Sequence, residues 1–326
     1  MAGAFRPMSF CSSTSHHGLN AAWDGDLFNN RRNSSISLED IAPLSFNKDV
    51  TQAILHATND VNAMPELPDV ETFKRYVDRT SLHRRISGVD VRSAYVLKGV
   101  SMDEWARRLR GCRFESSRRH GKHLFVRTDG DLWLRLHFGM TGSLRYFKHE
   151  QRTPKQTRVL FLFSNGHRLA FEDQRKFGEV GLLRDVDEFL KNRALGPDAL
   201  DMNLAKFKEM FGKHRAAVKT ILLNQKLIAG IGNIYADEIL FRARIHPATQ
   251  VSALKTNTVA KIFRATHDIL KKAIEAKADA DLMPKSWLLA RRGKGRKCPR
   301  CRHELKSATI GGRTAWFCAQ CQKRAR

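Results

Sequence analysis

Four cysteines near the C-terminus constrain this chain more than any other residues do. Cys298, Cys301, Cys318 and Cys321 stand in a C-x2-C-x16-C-x2-C arrangement. Two such pairs at that interval suit tetrahedral zinc, and the competing reading is a pair of disulfides, which a chain without a secretory signal disfavours. Four thiolates leave no open position for water, so the expected zinc is structural and holds a β-ribbon together. Cys11 and Cys112 stand alone, and Cys112, in Gly111-Cys112-Arg113-Phe114, reads as a small core residue. Residues 291–326, which contain the ribbon, also carry 12 Lys or Arg and one acid, Glu304.

That basicity runs through most of the chain. Its 326 residues suffice for two or three domains, and 58 Lys and Arg against 33 Asp and Glu leave a formal charge of +25. Such a surplus implies a polyanionic partner, nucleic acid before membrane. Residues 1–63 hold 4 basic and 6 acidic residues, so the whole surplus lies in residues 64–326, with 54 and 27. Residues 1–63 are also rich in Ser, Asn, His and Ala, without a period of 2 or 3.6, and are expected to be disordered or a non-native extension. A secretory signal needs an unbroken apolar stretch, and an organellar transit peptide avoids acids such as Asp24, Asp26, Glu39 and Asp40. Nothing approaches the roughly eighteen apolar residues of a membrane span, so a soluble protein is expected.

Past residue 63 the periodicity changes twice. Val70, Phe73 and Val77 recur at helical spacing behind Pro68, which suits a first helical turn. From Ile86 to about Leu183 the pattern alternates, as in Leu132-Trp133-Leu134-Arg135-Leu136, and Asn165-Gly166 between two apolar runs signals a hairpin. These features predict a β-sandwich with a helix at its head. Leu195-Gly196-Pro197-Asp198-Ala199-Leu200 reads as a linker. Helical spacing then returns at Leu204, Phe207, Met210 and Phe211, at Val218, Ile221 and Leu222, and at Val259, Ile262, Phe263, Ile269 and Leu270. Gly230-Ile231-Gly232-Asn233 opens one of these helices, where backbone N–H groups and the helix dipole suit a phosphate; alone, most such glycine pairs are plain turns.

Met64-Pro65-Glu66-Leu67-Pro68-Asp69-Val70-Glu71 precedes the first helix. If Met64 is a start, its removal frees Pro65 as a secondary amine, a nucleophile; if the chain begins at Met1, Pro65 is an inert amide. Read locally, Pro65 and Glu66 are a helix start, with an early acid serving the dipole.

Six motifs in order carry a resemblance. They are Met64-Pro65-Glu66-Leu67-Pro68, Gly121-Lys122-His123-Leu124, His137-Phe138-Gly139-Met140-Thr141-Gly142-Ser143-Leu144, Asp173-Gln174-Arg175-Lys176-Phe177-Gly178, the Gly230–Glu238 helix opening, and the cysteine ribbon. Residues 64–322 resemble the bacterial-type formamidopyrimidine-DNA glycosylases. The resemblance implies an α+β multidomain protein: an N-terminal β-sandwich with a flanking helix over 64–194, a helix-two-turn-helix DNA-binding domain over 195–290 and a zinc finger over 291–326.

It also implies base-excision repair of oxidised purines, formamidopyrimidines and 8-oxoguanine, by a DNA glycosylase that is also an abasic-site lyase. Pro65 would attack C1′ as a Schiff-base nucleophile, its α-amino pKa near ~8 against ~10.4 for lysine leaving it partly unprotonated. β- and δ-elimination would follow, with Glu66 handling protons and Lys122 near the sugar and a phosphate. His137 belongs to the DNA-facing set. Met140, Arg175 and Phe177 would fill the duplex when the damaged base is extruded, and Asn233 and Arg313 would clamp phosphates. Read alone, Lys122 is a solvated turn lysine, Asn233 a helix N-cap, Arg313 a ribbon-surface charge, and Met140 and Phe177 core residues. The implied partner is damaged double-stranded DNA, the implied place the cytoplasm at the nucleoid, and a monomer the default.

The sequence also departs from the family pattern. Asp69 stands where the family usually has Glu, and Gln174 where proline is customary. Glu275 to Leu289 leaves little room for the long loop that covers an extruded 8-oxoguanine in many members. Two alternatives stay open: an endonuclease VIII-like preference for oxidised pyrimidines, and a non-catalytic binder of abasic or distorted DNA if the extension is retained.

Overall fold

Helix α1 (Leu67–Thr80) begins with Pro68 in its first turn, where the missing N–H costs nothing. Its inner face buries Val70, Phe73, Tyr76 and Val77, and i,i+4 ion pairs Lys74–Asp78 (2.7 Å) and Arg75–Glu71 (3.2 Å) line its outer face. This computed structural model describes residues 64–99 and 101–324; the expected extension over 1–63, with Cys11, lies outside the described residues.

Two sheets form the predicted sandwich. One runs β1 (Ile86–Val91), β7 (Thr157–Phe163), β8 (His167–Asp173), β6 (Gly142–Lys148). The other runs β2 (Leu97–Lys98), β9 (Glu179–Leu183), β5 (Trp133–His137), β4 (His123–Thr128), β3 (Phe114–His120), with β2 and β9 parallel. Between them α1 inserts Phe73, whose ring lies 4.3 Å from that of Phe138, and Phe114, Phe161 and Phe171 complete an aromatic core. The Asn165-Gly166 signal joins β7 to β8. A helix that the alternation passed over, α2 (Met102–Leu109), packs Trp105 and Leu109 onto the same core. A short α3 (Val186–Asn192) follows β9.

The second half is helical, with α4 (Leu204–Gly212), α5 (Val218–Leu223), α6 (Asn233–Ala243) and α7 (Thr256–Glu275). Phe207, Phe211, Ile221, Leu222, Ile262, Ile269 and Leu270 share one core, as their spacing predicts, and Leu67 from α1 joins it. The zinc ribbon, β10 (Lys306–Ile310) and β11 (Arg313–Phe317), turns at Gly311 and Gly312, both left-handed (φ 58° and 73°), as a two-residue hairpin turn requires. Its small core of Cys298, Leu305 and Cys318 rests on Phe241 of α6 and on Leu288.

The stretch read as a linker is a clasp. Asp198, 1% exposed, accepts from the Arg119 guanidinium and from Gly121 N–H (2.7 Å), while Ala199 N–H donates to Ala229 O (2.9 Å) and Ala229 N–H to Pro197 O (2.8 Å). The β3–β4 turn is thereby tied to the helical half. Past α7, Met283, Trp287 and Leu288 are buried and Leu289 N–H donates to Glu238 (2.9 Å), so this segment lies packed against the helices. Among the described residues no helix is long and apolar enough to cross a membrane.

Candidate active site

The first four N–H groups of any helix lack partners within it, and α6 fills that need from far away in sequence. The Glu66 carboxylate accepts N–H bonds from Gly232 (2.8 Å), Ile234 (2.8 Å) and Tyr235 (3.2 Å). Leu67 N–H donates to Gly230 O (3.0 Å), stitching the head of α1 to the opening of α6. A Cβ on Gly232 would lie 2.3 Å from Glu66 Cδ, so only glycine allows this approach. Gly232 is also the N-cap of α6; Asn233, for which capping was the local reading, is its first helical residue.

Glu66 is 3% exposed, and Asp69 Oδ2 accepts its N–H (2.9 Å). Burial raises the Glu66 pKa, with the nearby Lys122 ammonium and the three amides opposing it. Burial likewise lifts Asp69 to about 7, aided by the neighbouring Glu66 charge and opposed by the N–H of Glu66. The Lys122 pKa moves down, again through burial, against the pull of Glu66 and Asp69 and with a push from Arg313. Two carboxyl groups and one ammonium thus share a desolvated pocket, an arrangement suited to proton transfer near neutral pH. Pro65 lies buried beside it.

Glu66 and Lys122 face a cleft of about 530 Å³ between the sandwich and the helical half, which Pro65 and Asp69 do not line. Met64, Glu66, Lys122, His137, Met140, Asn233 and Arg313 all line it. The Asn233 Oδ1 is buried without a hydrogen-bond partner, whereas Arg313 is exposed at the start of β11. His137 Nδ1 accepts Gly139 N–H (3.3 Å), bracing the loop that carries Met140, and burial lowers its pKa to about 4, so the ring is neutral at physiological pH.

Arg175 and Phe177 do not line the cleft. They sit on the loop between β8 and β9, with Phe177 58% exposed and the Arg175 guanidinium 5.5 Å from its ring centre. Asp173, fully buried, fixes this loop by accepting Thr141 Oγ1–H (2.5 Å), Arg175 N–H (3.2 Å) and Gly178 N–H (2.6 Å), and Thr141 Oγ1 accepts Arg175 N–H (2.9 Å). Asp173 and Thr141 therefore weld the Met140 loop to the Phe177 loop. Neither was singled out within its motif, because Thr141 acts on a backbone amide of a strand connection distant in sequence and Asp173 on amides of the loop that follows it.

Cys298, Cys301, Cys318 and Cys321 place their sulfurs within 4.8 Å of one another. Cys301 and Cys318 are 3.4 Å apart and Cys298 and Cys321 3.9 Å, close to the edges of about 3.8 Å that a zinc tetrahedron with ~2.3 Å bonds requires and far beyond disulfide contact. The residues fit one structural zinc, and the disulfide alternative falls.

Residues 64–180 match the formamidopyrimidine-DNA glycosylase N-terminal domain, residues 194–282 the formamidopyrimidine-DNA glycosylase H2TH domain, and residues 295–324 a zinc finger found in FPG and IleRS. The formamidopyrimidine-DNA glycosylase of Pelotomaculum thermopropionicum is 32% identical over 274 residues, covering 80% of this chain and 99% of its own length. That of Streptococcus pneumoniae is 33% identical over 277 residues, covering 80% and 100%. Among solved structures, Lactococcus lactis formamidopyrimidine-DNA glycosylase bound non-covalently to DNA containing an abasic site superposes with a TM-score of 0.74 at 28% identity, covering 79% of this chain and all of its own.

Proposed function

The chain belongs to the formamidopyrimidine-DNA glycosylase family, and from that membership we propose that it excises oxidised purines from double-stranded DNA and then cleaves the strand at the abasic site. The observation that carries this proposal is the convergence of Met64, Glu66, Lys122, Asn233 and Arg313 on one cleft, with Pro65 buried in the chain between two of its lining residues, Met64 and Glu66. The chemistry needs a free amine. While residue 64 is joined to Pro65, the nitrogen is an amide; once that peptide bond is gone, the secondary amine attacks C1′ and the base departs with the glycosidic electron pair and a proton. Opening of the sugar ring then breaks C1′–O4′ as O4′ takes up a proton, giving an iminium that draws electrons from C2′, whose proton is lost as the 3′ phosphate leaves, and loss of the C4′ proton releases the 5′ phosphate in the second elimination.

Glu66, next to Pro65 in the chain and with a pKa raised by burial, would carry a proton between the sugar and the nitrogen. Lys122, half-buried in the same pocket, supplies positive charge where phosphate and sugar meet. Asn233 and Arg313 would hold phosphates on either side, Arg313 from a ribbon that the four cysteines and zinc keep rigid. Extruding the nucleotide costs a few kcal/mol of stacking, and Met140, Arg175 and Phe177, with His137 bracing the Met140 loop, would fill the gap. The cleft is built from a single chain, which supports a monomer. Residues 1–63 would have to be absent from the working enzyme for Pro65 to carry a free amine.

Lesion choice turns on the segment after α7. Buried Met283, Trp287 and Leu288 hold it against the helices and leave little chain to cover an extruded base. Formamidopyrimidines are therefore expected to be excised faster than 8-oxoguanine, and the same observation favours oxidised pyrimidines as the second reading. A panel of damaged duplexes separates the two.

Borohydride reduction in the presence of an abasic-site duplex tests the core of the proposal. A chain beginning at Pro65 should be trapped covalently, with the adduct mapped to Pro65, and the chain beginning at Met1 should not. Trapping of the Met1 chain at another residue would overturn the proline mechanism.

A further inference from the structure

Tyr95 is the most exposed of the large apolar side chains among the described residues, at 79%, and Phe177 is also exposed, at 58%. A short 3-10 turn (Ala94–Val96) carries Tyr95 directly into β2, and β2 pairs with β9 at Leu97↔Val180, beside the loop that carries Phe177. Lys176, held in the left-handed conformation (φ 58°), places its ammonium 5.6 Å from the Tyr95 ring centre, while Arg175 lies over Phe177. The surface therefore offers two neighbouring aromatic faces, each with a cation over it, at the end of a path that leaves the cleft at Met140. Gly139, next to Met140, packs against the Phe177 backbone so closely that a Cβ there would lie 2.4 Å from Phe177 C, and Lys176 continues the path to Tyr95. Aromatic faces flanked by cations are what stacked bases and their phosphates bind.

We infer that Tyr95 and Lys176 form a contact for the strand opposite the lesion, Tyr95 packing on a base or deoxyribose and Lys176 meeting the adjoining phosphate. The inference rests on the duplex-filling role proposed for Arg175 and Phe177. With the damaged strand held across the cleft and Phe177 at the gap, the continuation of the path beyond Phe177 reaches the complementary strand. On binding, Lys176 exchanges the Tyr95 ring for a phosphate, and the ring is released to the DNA.

Equilibrium binding of the full-length chain, which needs no free amine, tests this on a duplex with a tetrahydrofuran abasic analogue, on the undamaged duplex and on the single damaged strand. Tyr95→Ala should weaken abasic-duplex binding about tenfold without changing the salt dependence, Tyr95→Phe should restore it, and Lys176→Ala should lower the salt slope by about one. On the single strand, Tyr95→Ala should bind like the parent. Tyr95 is open to solvent, so an unchanged thermal midpoint checks that the variants fold. If the parent prefers the abasic duplex and Tyr95→Ala matches it, the inference fails alone; if the parent does not discriminate damage, the proposed function fails with it.

Discussion

Lys219 Nζ and Asp237 Oδ1 meet at 2.6 Å with no solvent access to either side chain. Lys219 also donates to Thr314 O (3.0 Å), and Asp237 accepts Trp316 N–H (3.0 Å) and the Arg292 guanidinium (3.1 Å). Helices α5 and α6, the segment before the ribbon and strand β11 therefore converge on one buried charge cluster. Burial pushes the Lys219 pKa down and the Asp237 pKa up, and their mutual attraction opposes both shifts. Arg313, one residue before Thr314, takes its place over the cleft from this anchor.

Lys219→Met removes the cation and leaves Asp237 buried with Arg292 alone. Unfolding in urea should show a loss of about 3–5 kcal/mol, with part of it recovered in the double variant that also carries Asp237→Leu, because the buried carboxylate is then gone and only the more exposed Arg292 lacks a partner. Equal losses in the single and double variants would mean that the charges do not act as a pair.

Zinc removal should disconnect the ribbon. A chelator strong enough to strip one zinc per chain, or Cys298→Ser, should reduce affinity for abasic duplex by at least roughly tenfold through loss of the proposed Arg313 contact, since structural zinc carries folding free energy of its own. Metal analysis beside a binding titration checks this, and the β-rich circular dichroism of the sandwich should persist.

Gly232→Ala places a methyl against Glu66 Cδ. The carboxylate must then leave the α6 amides, and a displacement on the order of 1 Å at a reacting group can cost ~100-fold in rate. Single-turnover base release should fall by about that factor while abasic-duplex affinity changes much less. A parallel fall in both would point to a collapsed cleft.

Thr141→Val deletes the hydroxyl that Asp173 and Arg175 share. Losing these hydrogen bonds should cost about 1–2 kcal/mol, read as a roughly tenfold smaller preference for abasic over undamaged duplex. Competition binding measures the preference.

Asp69 holds its proton up to about pH 7 in the folded chain, whereas an unfolded aspartate releases it near ~3.9. Between those values the folded state binds the additional proton, so this contribution to stability is complete below about pH 4 and is lost as pH rises towards 7. Asp69→Asn should flatten that part of the stability profile in urea titrations between pH 4.5 and 8. An unchanged slope would assign the buried proton to another group.

Elements whose signal is local were legible in the sequence. The ribbon followed from cysteine spacing, α1 from Val70, Phe73 and Val77, the β7–β8 hairpin from Asn165-Gly166, and α7 from its apolar stripe. Helix α2 was missed because only Trp105 and Leu109 face inward from a short, charged segment between strands. The pairings that shape the site were not legible, since they join distant positions: Glu66 to the α6 amides, Asp198 to Arg119, Lys219 to Asp237. Residue type announced that each was polar, but burial and partner appear only once the chain has folded. Asn233 shows the same limit, because one residue decides whether a side chain caps its helix or faces the cleft.

Leu67 belongs to the hydrophobic core of the helical half although it stands at the head of the sandwich, and the carboxylate next to it waits for amides 166 or more residues downstream. On the ribosome, the sandwich can therefore emerge before the Glu66 pocket is assembled. The surroundings of Glu66 take shape only after α6 has left the exit tunnel. A truncated or half-made chain therefore has Glu66 without the amides that hold it in the finished fold.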